Sequence, residues 1–195
     1  MKIFIVLVAS VLAVIGNISY FKDVLKGKII PHPYTWFIWS IVSMTTFFGG
    51  LAKGAGLGVL PTGIAEVFTL FIFLFSIQYL FNGKAGHIRR IDNYFLAFAL
   101  LGLIPWAITH DPTISVVIMV LIDLIAFIPT LRKTWVKPNT EKPMLYSMNV
   151  SRHILTLFSL SAYNVATTLH SIVMICTNTV MVSFIARRKA REGRK

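Results

Sequence analysis

The sequence predicts an all-α membrane protein of seven transmembrane helices, arranged as two parallel three-helix bundles joined by a linker helix (3+1+3). Three observations predict it. Hydrophobic residues make up 56% of the 195-residue chain, above the apolar share of a soluble globular domain. Seven apolar segments are long enough, at about 20 residues each, to cross a hydrocarbon core of about 30 Å. One passage also occurs twice: an apolar helix, an aromatic or helix breaker, a basic hairpin, then Pro and a second apolar helix. The first copy runs from Tyr20 through Lys28 to Pro33 and the second from Pro129 through Lys137 to Pro143. Same-direction repeats separated by one extra hydrophobic segment give two three-helix halves and a linker.

The spans fall at 3–20, 34–51, 58–81, 93–109, 113–131, 145–164 and 168–186. They divide the chain into a first bundle over 1–91, a linker helix within 92–111, and a second bundle with a basic tail over 112–195. The first span, with Lys2 before it and Ala13 and Gly16 near its end, resembles a secretory signal. Lys22, Lys26 and Lys28 follow directly and would have to be exported, so we read it as a true span. Between the second and third spans, Gly49, Gly50, Gly54, Gly56 and Gly58 crowd the turn, as in a flexible or closely packed loop, with a gate on that side as the alternative. Pro61 sits where a first-turn proline belongs. The fourth span is the shortest and carries Pro105 and Trp106, which we assign to packing. Pro129 removes a backbone hydrogen bond near the end of the fifth span and is a candidate hinge.

The net charge of +12 would suggest nucleic acid in a soluble protein, but here the cations flank hydrophobic runs. Nucleic acid is therefore not an expected partner. Lys22, Lys26 and Lys28, then Lys84, Arg89 and Arg90, then Arg132, Lys133, Lys137 and Lys142, and finally Arg187 to Lys195 hold nearly all of the 19 basic residues, on alternate loops. That alternation needs an odd number of crossings. The positive-inside rule then puts the N-terminus outside and the tail in the cytoplasm of a cell (inner) membrane. The tail reads as a stop-transfer anchor, with anionic lipid headgroups as its neighbours. Tyr34, Trp36, Trp135 and Tyr146 fall at cytoplasmic span ends, where an interfacial aromatic belt is expected. Trp39 lies a turn deeper and faces the interior on this reading. The lone Cys176 lies within the last span, so no intramolecular disulfide forms.

Ionisable groups inside lipid are costly and point to function. Glu66 lies in the third span, Asp123 in the fifth, and Arg152 with His153 in the sixth. At ~1.5 Å of rise per residue, Asp123 is roughly 12 Å from Leu131 and Arg152 roughly 9 Å from Tyr146, so their depths match. A buried Asp123–Arg152 ion pair is expected, as a neutralising structural pair or as part of transport. Glu66 has no charged partner at its depth. It is either a proton-coupling carboxyl or a group hydrogen-bonded in a wet vestibule. Trp39, Asn149 and Asn178 complete a pocket in which amides supply donors and acceptors while a ring covers an apolar face, suited to a small polar solute, neutral or zwitterionic. The same amides also suit interhelical hydrogen bonds, and Asn17 and Asn164, nearer span ends, are read as packing residues. The residues form no nucleophile–base pair, paired carboxylates or metal-ligand cluster at helical spacing, so no enzyme activity and no cofactor is expected.

The run Asp123, Phe127, Pro129, Thr130, Arg132, Lys133, Pro138, Glu141, with Pro33, Trp36 and Trp39 in the first half, resembles bacterial seven-helix proteins of the PQ-loop and SWEET-like superfamily, over nearly the whole chain. The resemblance implies two triple-helix bundles about an axis along the membrane normal, and movement of small solutes such as sugars or amino acids by alternating access. It implies a central pocket formed by Asn178, Trp39 and Asn149, with Glu66 in place of an expected amide, and a hinge at Pro129. Tyr20 stands where the motif has Pro, and Thr130 follows Pro129 where it has Gln, so the defining dipeptide is absent from both halves. Because the chain contains both halves, a single copy suffices for a transport unit, with homo-oligomerisation left open. The alternative within the superfamily is a ligand-binding or sorting receptor without flux.

Overall fold

In a computed structural model, residues 1–82 and 88–192 are described, apart from the side chains at 102, 103, 105–107, 191 and 192. Lys84, Arg194 and Lys195 and the side chains of Pro105, Trp106 and Arg191 thus lie outside the described residues. Those residues are helical, without a strand among them. The chain runs through α1 (Lys2–Leu25), α2 (Pro33–Ala52), a 3-10 turn (Gly56–Val59), α3 (Leu60–Ser76), a short α4 (Gln78–Phe81), α5 (Arg90–Ile108), α6 (Pro112–Val136), α7 (Pro143–Ser159) and α8 (Val165–Glu192). The 3-10 turn, α3 and α4 follow one another as a single apolar rod, Gly56–Phe81.

Local chemistry sets the boundaries. α2, α6 and α7 each begin with a proline in the first turn, where the missing N–H costs nothing and φ is already helical. Asp111 caps α6, accepting from Thr113 N at 2.7 Å and Ile114 N at 2.9 Å; these backbone donors, Ile114 first, hold its carboxyl below the usual range. α7 ends at Ser159, five residues before the expected span end, because Leu160 turns to an extended ψ of 144°. Asn164 and Thr167 then bond reciprocally, Thr167 N to Asn164 Oδ1 at 3.2 Å and Asn164 N to Thr167 Oγ1 at 3.0 Å, and α8 starts behind that cap.

Five of these rods are long and apolar enough to cross a membrane: α1, α2, Gly56–Phe81, α6 and Val165–Ala190 of α8. α5 and α7 are not among them. α7 has only 17 residues and carries Arg152 and His153, so it fits a membrane only with its polar face turned inward. The outward faces support embedding: exposed large apolar residues recur along α1, α2, α3, α6 and α8, Phe4 and Phe48 among them, an extent of apolar surface that a soluble monomer rarely presents. The chain is therefore a membrane-embedded protein.

α3 packs on α1 and α2, and α8 packs on α6 and α7. α1 meets α7, α2 meets α6, and α5 lies against α6 and α2. Two glycines permit close approaches between elements. A Cβ on Gly16 of α1 would fall 2.8 Å from Met148 Cβ of α7, and one on Gly58 would fall 2.9 Å from the Leu160 backbone. Small residues let helix backbones approach in this way when no hydrophobic effect drives them together. Gly58 also identifies the glycine-rich turn as a packed loop: it sits on the α7–α8 connection, where Ser161 N donates to the Ala55 carbonyl at 3.2 Å.

Candidate functional site

Inside the helices lies a small cavity of about 40 Å³, room for a few waters at about 10–15 Å³ each. It is lined by Asn17 of α1, Trp36, Trp39 and Ser43 of α2, Thr62, Ala65 and Thr69 of α3, Asp123 and Phe127 of α6, Tyr146, Asn149 and Arg152 of α7, and His170, Met174, Thr177 and Asn178 of α8. The spacing of the α8 set, i, i+4, i+7 and i+8, is one helical stripe. Of the residues singled out in the sequence, Trp39, Asn149, Asn178, Asp123 and Arg152 meet here. Asn149 Nδ2 approaches Asn178 Oδ1 at a long 3.5 Å, while Asn178 Nδ2 donates to the Met174 carbonyl at 2.7 Å.

Asp123 and Arg152 share the cavity without pairing. Arg152 is 4% exposed and is held by neutral groups: Nε donates to Asn149 Oδ1 at 3.4 Å, Nη1 to Thr62 Oγ1 at 3.3 Å and Nη2 to His153 Nε2 at 2.6 Å. Because that ring nitrogen accepts, the His153 proton sits on Nδ1, which donates to Ser171 Oγ at 3.1 Å; the imidazole is therefore neutral. Asp123, 2% exposed, lies beside Trp39. Its Oδ1 and the Trp39 indole nitrogen nevertheless meet no hydrogen-bond geometry, and neither does His170 Nε2. The expected ion pair fails because equal depth does not fix direction: α6 and α7 both pack on α8, which separates the two charges.

Two expected site residues lie off the cavity. Glu66 is buried next to Ser43 of α2, with both carboxyl oxygens outside hydrogen-bond geometry. Pro129 is buried within an unbroken α6 and faces Tyr34, Leu96 and Ala99. Beside it, Thr35 Oγ1 of α2 donates to the Ala126 carbonyl at 2.8 Å and accepts from Thr130 Oγ1 at 3.0 Å, joining α2 to α6 at the proline. The expected aromatic belt is also corrected. Trp36 and Tyr146 are buried and line the cavity, whereas Trp135 is 48% exposed with Arg188 4.8 Å above its ring. Asn17, read as packing, and His170, passed over at the start of the seventh span, line it as well. The stripe from His170 to Asn178 is the signal that identifies His170.

At the end carrying the α1–α2 and α6–α7 hairpins, called here the basic end, charges close the cavity. Lys133 and Glu141, 2% and 1% exposed, form an ion pair. Tyr20 donates to Glu141 Oε2 at 3.1 Å and Tyr146 at 2.8 Å, and Lys133 Nζ donates to the Ile30 carbonyl at 2.6 Å. Tyr20 also packs on Trp36 at 5.2 Å between ring centroids. A second set, buried Asp92 and His32 with half-buried Arg132, ties α5 to the same end. Compared with known proteins, the chain matches no family model, no curated protein and no solved structure, so the chemistry of this cavity is read from its geometry.

Proposed function

We propose that the chain is a small-solute carrier working by alternating access, built as 3+1+3 with the N-terminus outside and the basic tail in the cytoplasm of a cell membrane. The single observation that carries this is the central cavity, lined by polar side chains from the first three rods and the last three and closed at the basic end by a charged network spanning both sets. The helix packing supports the two halves: α1–α3, α2–α3 and α1–α7 correspond to α6–α8, α7–α8 and α6–α2, the pairing that a two-fold axis along the membrane normal generates. α5 then serves as linker. Alternating access is rocking of one half against the other around a fixed site.

The test is flux. Purified chain in proteoliposomes is screened for exchange of labelled sugars, amino acids and small acids. Exchange that is abolished by Trp39→Ala or Asn178→Ala establishes a carrier and its site; thermal stabilisation by a solute without flux replaces the carrier by a ligand-binding receptor. Proton coupling, if it runs through Glu66 or Asp123, predicts that Glu66→Gln or Asp123→Asn retains exchange and loses uphill accumulation.

A further inference from the structure

Besides the Lys133–Glu141 pair, the basic end carries two clasps between different helices, and their chemistry differs. In the first, Lys142 at the start of α7 donates to Asp23 Oδ2, near the end of α1, at 2.6 Å and to Ser19 Oγ at 2.7 Å. In the second, Arg132 near the end of α6 and His32 at the start of α2 both meet Asp92, in the first turn of α5. Arg132 grips that carboxylate through Nη2 and through Nε, the latter 3.3 Å from Oδ1, while His32 Nε2 donates to Oδ2 at 3.4 Å. Arg89 N, donating at 2.8 Å, fixes the acid at the head of its helix. Asp92 and His32 are fully buried, so this is not the exposed kind of ion pair that contributes little.

Under the 3+1+3 reading, on which this inference rests, the two clasps are one contact made twice. Asp23 stands three residues after Tyr20 and Arg132 three after Pro129, while His32 and Lys142 hold the N-cap positions of the helices that Pro33 and Pro143 open. A two-fold axis along the membrane normal carries Asp23–Lys142 onto Arg132–His32. The first pairing joins an acid to a base and is complete. The second sets a guanidinium, which only donates, against an imidazole, and contains no carboxylate to neutralise the cation. Asp92 sits between them and supplies it.

We infer that the linker helix is a working part of the closure: through Asp92, α5 contributes the carboxylate that holds His32 of one half to Arg132 of the other. Asp92 is thus a positioning residue for the basic end. When that end opens, His32 and Arg132 separate and Asp92 follows one of them. It follows Arg132, which holds it by two nitrogens against one long contact from His32, and α5 lies against α6 as well. The contact that makes and breaks is His32–Asp92.

The test needs no solute, so it stands apart from the flux screen. Full-length chain in lipid nanodiscs, with Cys176→Ser, carries spin labels at Lys28→Cys and Lys137→Cys, exposed positions on the two hairpins. The distance between them is read by double electron–electron resonance. With Asp92 intact the chain should show the short, closed distance. Asp92→Asn keeps the shape and removes the charge, and should shift the closed-to-open ratio toward open by roughly 10-fold or more, because a hydrogen bond to a charged group is lost. Adding His32→Asp should restore the closed distance, since Arg132 then meets an acid directly and the second clasp matches the first with its charges exchanged. Adding His32→Asn instead should restore nothing. An acid that served only to cap α5 through Arg89 could not be replaced from the start of α2. An unchanged distance in Asp92→Asn, an opening that His32→Asp leaves uncorrected, or one that His32→Asn corrects equally well overturns the inference and leaves the carrier to its own test. If Asp92→Asn alone does not fold, recovery of folded protein on adding His32→Asp upholds the inference, and its absence overturns it. A chain that passes this test and shows no flux overturns the carrier, not the closure.

Discussion

The two ends of the cavity are closed by different physics. At the basic end the closure is ionic: Lys133, Glu141, Tyr20, Tyr146 and the Ile30 carbonyl form one buried network. At the opposite end it is steric. Gly58 lies against the Leu160 backbone, the buried residues Ala55, Val59 and Leu160 pack together, and Lys2 Nζ reaches the Leu160 carbonyl at 2.7 Å. The difference teaches how each can open. A buried ionic closure is all or none, because separating its members strands desolvated charge. A closure of small apolar surfaces slides, losing its contacts gradually.

The contrast can be broken in order of effect. Removing one ion from the buried pair, Lys133→Met or Glu141→Leu, should cost about 3–5 kcal/mol in thermal or denaturant unfolding, and the double variant should recover most of it, because the partner left alone bears the desolvation. A double variant no more stable than the singles sinks the idea of an ionic closure. Gly58→Ala should cost about 1–3 kcal/mol, since the backbone it meets cannot swing aside; a neutral result shows that the loop moves freely. Tyr20→Phe removes one donor to a charged acceptor, and a loss of roughly 1.5–3 kcal/mol is expected, the lower figure if Tyr146 and Lys133 suffice. At the bottom of the series, Lys53→Ala breaks the exposed Lys53–Asp111 contact of 3.6 Å and should leave the melting temperature unchanged. A clear drop there would mean that the steric end also depends on charge.

Helix positions were largely legible because apolar length and first-turn prolines are local signals: Pro33, Pro112 and Pro143 each open a helix. The end of α7 was not, although its clue was present. Asn164 and Thr167 are spaced as a reciprocal cap, yet a run of small and apolar residues around them hides the break. In the site, Asn149, Asn178 and Trp39 stood out as polar or amphipathic groups at membrane depth. Trp36 and Tyr146 could not be placed the same way, since a residue at a span end faces lipid or protein according to helix rotation. Lys133 looked like one of many flanking cations. Its burial depends on Glu141 eight residues on and on Tyr20 of α1, a coincidence that only folding creates. For Asp123 and Arg152, helical rise gave depth but carried no information about direction.

The brevity of α7 has a consequence for the lipid. At ~1.5 Å per residue, its 17 residues span roughly 25 Å, whereas the 24 residues of α1, packed directly beside it, span roughly 36 Å. The annulus of acyl chains around the protein therefore meets hydrophobic walls of unequal height, and must thin at one and stretch, or let the helix tilt, at the other. Any rocking of α7 relative to α1 changes that step, which makes bilayer thickness a mechanical load on the conformational equilibrium.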